Sequence, residues 1–237
     1  VAITTGGTLA ERARQAKVPL LTFAWTGEPR SALGWSFVSL LAICAKLRLL
    51  PPLDVQMRSA IAGLRAAATE FGRDVPEASN PAKQLARRLS GRLPVFIGAE
   101  ALAPVAYRWR TQVNENAKSW AIADELPEMN HNAQAGYGLP ERAVPLLHAV
   151  ILRHTGMHPR IRLRTDATID EMRRADVSCE TVDIDGAGVL AQVLRAVWMG
   201  DYVSYYLGLL NGVEPSPVDA LDRLKAFMAA NPPAQRA

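Results

Sequence analysis

The chain has 237 residues, 49% of them hydrophobic and 21% charged, enough for a substantial core in one large or two small domains. Its net charge is +4 and its pI about 9.3, but Lys and Arg are scattered, which argues against a nucleic-acid stripe and leaves small anions as fitting ligands. Two cysteines, Cys44 and Cys179, lack CxxC spacing, and the four histidines form no HExxH pattern, so neither a disulfide framework nor a metal site is expected.

No signal-peptide pattern is seen, and the longest apolar run, residues 32–44, is too short to span a membrane and reads as a buried helix. A cytoplasmic protein with buried free thiols is the expectation. Residues 1–5 predict a strand ending at Gly6 and Gly7, with Thr8 as the N-cap of a helix over 9–16 and Glu11 in its first turn. Residues 18–24 predict a second strand. Pro29, Arg30 and Ser31 then open a long helix through Leu33, Phe37, Leu40, Leu41 and Cys44. Strand, helix, strand, helix with short loops means βα units and a parallel sheet. Two strands do not complete a doubly wound sheet, so the expectation is a first lobe that continues upstream of Val1.

Pro51 and Pro52 break the pattern. Amphipathic helices over 53–71 and 81–89 follow, and residues 53–92 read as a helical linker. A fresh strand over 93–98 opens a second lobe, residues 93–237. There the alternation continues: helix 102–118, strand near 120–123, loop 124–128, and a helix beginning at His131. Then come strand 148–153, helix through 169–174, strand 178–184, helix 188–209 and helix 217–230, with residues 231–237 expected to fray. The fold class is α/β: two lobes, the first (residues 1–52) incomplete.

The stretch RTQVNENAKSWAIADELPEMNHN, residues 110–132, concentrates the polar chemistry. Glu115 lies near a helix end between Asn114 and Asn116, where amides can orient a carboxylate without changing its charge, as a general base needs. His131 follows a candidate N-cap, Asn130, in a first turn whose dipole would keep the ring neutral. Both residues read equally well as ordinary polar groups at helix ends. They are sixteen residues apart, so they meet only through the fold or a second subunit. Arg30, at a predicted helix start, could hold an anionic oxygen. The Gly6, Gly7, Thr8 turn could offer N–H groups to a phosphate, although a tight turn accounts for it. His154 and His158 could share a helix face at the surface.

TTGGTLAERA, PRSAL, RTQVNENAKSWA, ELPEMNHN and GDYVSYYLGLLNGVEPSPVDALDRLK occur in collinear order over most of the chain. Together they resemble the bifunctional phosphoglucose/phosphomannose isomerases of the sugar isomerase (SIS) superfamily. The resemblance implies two SIS domains, each a parallel five-stranded α/β sandwich. It implies interconversion of glucose 6-phosphate and mannose 6-phosphate with fructose 6-phosphate, with no metal or organic cofactor. Glu115 matches the base that moves a proton between C1 and C2. His131 matches the ring-opening histidine, which in this family reaches the partner subunit's active site, and so implies a homodimer. Arg30 matches the arginine that stabilises the enediolate, and Ser204 lies where C2-epimer tolerance could be set. The family's SYSGNT-type phosphate loop would precede the TTGG strand, outside the 237 residues. The lysine some relatives carry in the penultimate helix is replaced by GLLNG. A non-catalytic SIS module that senses a sugar phosphate is the alternative, against which the presence of both Glu115 and His131 counts.

Overall fold

The computed structural model describes residues 1–232; the rest of the tail expected to fray, residues 233–237, lies outside the described residues. The chain divides into two compact units, residues 1–55 and residues 56 onward. In the first, strand β1 (Ala2–Thr4) leads through helix α1 (Gly7–Gln15) to strand β2 (Leu20–Thr22). The strands pair in parallel, with Ile3 opposite Leu21, as a helical crossover requires. Gly6, not the expected Thr8, is the N-cap of α1, at φ 142° and ψ −144°. That backbone region is open to glycine and strained for other residues, so conformation rather than side-chain capping sets the helix start. The hydroxyl that does help belongs to Thr4, whose Oγ1 accepts from the Gly6 N–H at 3.2 Å.

A 3-10 turn, Pro29–Ala32, precedes helix α2 (Leu33–Lys46). Contrary to the expectation of a buried helix, no residue of α2 is buried, and Trp35, Val38 and Leu40 are exposed. Composition predicted the helix correctly but not what covers it. Cys44 and Cys179 are both free and only half-buried.

Helix α3 (Asp54–Phe71) leads into the second unit and is followed by α4 (Pro81–Leu89). Helix α4 starts where it does because the Asn80 side chain accepts from the Lys83 N–H at 3.0 Å and Pro81 needs no donor partner at the first position. Its Ala82, Leu85, Ala86 and Leu89 are buried, a helical one-face stripe. They join Ala67 and Phe71 of α3 in one core cluster, so the helices expected to form a linker pack as part of this unit.

The second sheet contains β3 (Leu93–Ala99), β4 (Ile122–Leu126), β5 (Leu147–His154) and β6 (Ser178–Ile184). Its order is β4-β3-β5-β6, and every pairing is parallel. The resemblance implied five strands; four are present among the described residues. The connecting helices are α5 (Ala103–Ala117), α6 (Pro159–Arg174) and α7 (Val189–Leu210), and α8 (Asp219–Ala230) follows. Side chains alternate across the sheet. Phe96, Val150, Leu152 and Val182 pack toward α4, α5 and α7, whereas Ile97, Ile151, Met172 and Ile169 form the core on the α6 side. The strand expected near residues 120–123 begins two residues later, at Ile122, where pairing with β3 starts; Trp120, 83% exposed, lies outside the ladder of this edge strand. No helix of the described residues is long and apolar enough to cross a membrane.

Helices α5 and α7 approach closely. A Cβ on Gly200 would lie 2.3 Å from Trp109 Nε1. The buried indole N–H donates to the Ala196 carbonyl at 2.9 Å, and the ring meets Phe96 edge-on at 5.5 Å. Near the start of β5 and β6, His148 lies between Ser178 Oγ at 3.0 Å and Glu180 Oε1 at 2.8 Å. Arg88 of α4 donates twice to the same carboxylate, at 2.7 Å each. Burial pushes the Glu180 carboxyl up, but the hydrogen bonds and charges of His148 and Arg88 outweigh it and hold the pKa down at about 2.

Two predictions follow from these contacts. Gly200→Ala should destabilise the protein by about 2 kcal/mol through overpacking, despite alanine's better helix propensity; urea unfolding measures this. Because the Glu180 pKa is lowered on folding, its stabilisation is present above the unfolded carboxyl pKa and is lost as pH falls toward about 2. Glu180→Gln should therefore flatten the fall of the urea midpoint between pH 5 and 3. An unchanged slope would contradict the assignment.

Candidate active site

Helix α5 runs back from the C-terminal edge of β3 to the N-terminal edge of the sheet, and Glu115 lies in its last turn. The carboxylate side chain is half-buried. Its neighbours anchor the backbone. Asn114 Nδ2 donates to the Ser119 carbonyl at 2.8 Å, and Asn116 Nδ2 donates inward to Ser204 Oγ at 2.9 Å. Lys118 takes a left-handed φ of 52° to end the helix. Its ammonium donates to the carbonyls of Glu115 and Pro215. Asn211 Nδ2 donates to the Ala117 carbonyl at 2.9 Å. The Glu115 and Ala117 carbonyls, which a helix C-terminus leaves without intrahelical partners, are thus taken up by Lys118 itself and by Asn211 at the far end of α7.

His131 stands at the other end of the sheet, beyond the C-terminus of β4. No α-helix begins there. Residues Glu128–His131 form a 3-10 turn with His131 at its end, and Ala133–Gly136 form another. The expected helix-start dipole on the imidazole is therefore absent, and the exposed ring is held through its neighbour instead. Asn130 Nδ2 donates to Gln134 Oε1 at 2.8 Å and to Thr168 Oγ1 at 3.0 Å, and its Oδ1 accepts from Arg164 at 3.2 Å. Met129 is buried in the α6-side core. Beside this turn lies an open groove of about 480 Å³ whose lining includes Pro127, Asn130, Gln134, Arg160, Arg164 and Thr168. The sequence showed Asn130 as a cap; its tie to Thr168 and Arg164, 38 and 34 residues away, had no local signal.

Glu115 and His131 are not brought together within the unit. Strand β4 has five residues and rises about 3.3 Å per residue, so about 16 Å of strand separates the two edges. Arg30 lies in the other unit. It sits in a four-residue 3-10 turn rather than at the start of a long helix. Its side chain is 10% exposed, with Nη1 3.6 Å from Glu28 Oε2. Ser204 is fully buried, and its hydroxyl accepts from Asn116 and donates to the Asp201 carbonyl at 2.9 Å, so it faces the α5–α7 seam.

In an open parallel sheet, the usual ligand crevice lies where the strand order reverses, at the carboxyl ends of the strands. Here that point falls between β3 and β5. Glu100 spans it. This residue has a left-handed φ of 51°. Its carboxylate accepts from the His158 N–H at 3.2 Å and lies 3.5 Å from His154 Nε2. His154 and His158 do not share a helix face: His154 ends β5 and is 4% exposed, while His158 caps α6, accepting at Nδ1 from the Arg160 N–H.

The family model of the bacterial phospho-glucose isomerase C-terminal SIS domain matches residues 78–228. A bifunctional phosphoglucose/phosphomannose isomerase of Caldicellulosiruptor bescii is 35% identical over 97% of this chain and 68% of its own. One from Aquifex aeolicus is 29% identical over 94% of this chain and 65% of its own. This chain thus spans about two thirds of the length of these relatives. Among solved structures, a glucose-6-phosphate isomerase like protein from Thermus thermophilus matches with a TM-score of 0.55 at 29% identity, over 69% of this chain and 55% of its own. The match of the Caldicellulosiruptor protein over nearly all of the chain, and of the domain model over most of it, establishes that the chain belongs to the bifunctional phosphoglucose/phosphomannose isomerase family.

Proposed function

We propose that the protein is an aldose–ketose isomerase that interconverts glucose 6-phosphate and mannose 6-phosphate with fructose 6-phosphate through an enediol intermediate. The observation that carries this reading is the 35% identity over 97% of the chain to a protein of that name. A half-buried carboxylate on a pinned helix end and an exposed imidazole on a pinned turn are the two groups such chemistry needs. Residues 1–52 belong, in this reading, to a first SIS-type domain and residues 93–237 to a second. The two half-buried thiols fit a reducing, cytoplasmic setting.

His131 assists ring opening by exchanging a proton with the ring oxygen and the C1 hydroxyl. Glu115 then removes the proton from C2 of the open aldose and returns it to C1. Arg30 stabilises the negative oxygen of the enediolate, a role in which a fixed cation in a site shielded from water is most effective. Rotation about C2–C3 of the open chain presents either C2 epimer to the same base.

The placement of Glu115 and His131 at opposite edges of one sheet supports a homodimer with shared sites, in which His131 of one protomer serves Glu115 of its partner. A hexose phosphate is too short to bridge about 16 Å of strand.

Glu115→Gln should lower kcat by about 10²- to 10⁴-fold while leaving sugar-phosphate binding intact. Deuterium exchange at C2, followed by NMR, should vanish with it, and persistent exchange would sink the assignment. Mixing and reassociating the inactive Glu115→Gln and His131→Ala variants tests the sharing. Random dimers should regain about a quarter of the wild-type activity, since half are mixed and each mixed dimer rebuilds one of two sites. Activity that never exceeds that of the separate variants would place both groups in one protomer.

A further inference from the structure

We propose that Asn116 is a positioning residue for Glu115, acting through its hydrogen bond to Ser204. The proposal rests on the isomerase reading, which gives Glu115 the role of base. Successive residues of an α-helix point about 100° apart. Asn116 points into the α5–α7 seam, where it is 9% exposed and Ser204 is 0% exposed. Glu115 therefore emerges from the rim of that seam, and its direction is set by how Asn116 is held. The contact is close-packed as well as hydrogen-bonded: a Cβ on Gly208 would lie 2.7 Å from the Asn116 carbonyl oxygen.

The polarity of the bond requires an amide. The Ser204 hydroxyl proton is committed to the Asp201 carbonyl, so its oxygen is left to accept, and Asn116 Nδ2 donates to it. One and two turns back along α5, Gln112 and Arg108 make the same kind of inward contact. Gln112 Nε2 donates to Asp201 Oδ1 at 2.7 Å and Arg108 Nη2 at 3.0 Å. A polar ladder thus runs along α5 to the residue beside the base. A last helical turn ordinarily frays, and a base displaced by an ångström loses rate steeply. The ladder removes that freedom where it matters for proton transfer.

The test is steady-state kinetics on the full chain carrying Asn116→Ala, Ser204→Ala and both together, at a temperature where circular dichroism shows each folded. Asn116→Ala should lower kcat by about tenfold with KM within about twofold. Adding Ser204→Ala should cost little more, because one interaction cannot be lost twice. Two independent roles would instead multiply the losses. Hydrogen exchange should show faster amide exchange in residues 114–117 of Asn116→Ala, with β3 and β5 unaffected. A folded Asn116→Ala with unchanged kcat, or a loss confined to KM, overturns the proposal. If the wild-type chain shows no isomerase activity, the isomerase reading itself fails; unchanged exchange at residues 114–117 would then separately refute the anchoring.

Discussion

The close approach of α5 and α7 is the constraint on which most of the second unit depends. Trp109 lies against Gly200 where a side chain would not fit, and its N–H is satisfied by a carbonyl of the opposite helix. With the two helices locked at that point, the polar contacts beside and beyond it fall into register: Arg108 and Gln112 on Asp201, then Asn116 on Ser204. Both helices cover the same face of the sheet, so the lock also fixes where α5 ends relative to the strands. The residue carried by that end, Glu115, inherits its position from packing about two turns back along α5.

The candidate site is divided by the winding of the chain. A crossover helix brings Glu115 to one edge of the sheet, and the next strand carries His131 to the other. Each group is presented on an irregular or terminal piece of backbone and steadied by an adjacent asparagine whose amide is bonded to another helix or turn. The sequence shows the symmetry, Asn114-Glu115-Asn116 and Asn130-His131-Asn132, but not its cause. Asn116 and Asn130 bond to Ser204 and Thr168, residues of α7 and α6.

What could be read from the residues was whatever local physics decides. Helix α4 announced itself through an amphipathic run over residues 81–89, and β6 through the run 178–184. Periodicity located α7 to within a residue at either end. The misreadings share a different origin. Thr8 looked like a cap because its side chain suits one, but the unusual backbone of Gly6 decided the helix start. Residues 120–123 looked like a strand from composition, although pairing with β3 begins only at Ile122. Asn130 and His131 resembled a helix start, whereas long-range bonds to α6 shaped a tight turn instead. Arg30 was legible as a cation near an expected helix start; its companion Glu28 and the shortness of its turn were not.

Glu100 occupies the point where the strand order reverses. A carboxylate held between the loops after β3 and β5, on a strained backbone, places fixed negative charge at the crevice where a sheet of this winding would ordinarily receive an anion. Its hydrogen bond takes the His158 N–H, a donor that a phosphate would otherwise use. An anion seated at that crevice would face the Glu100 carboxylate and would have to displace it to reach the His158 N–H.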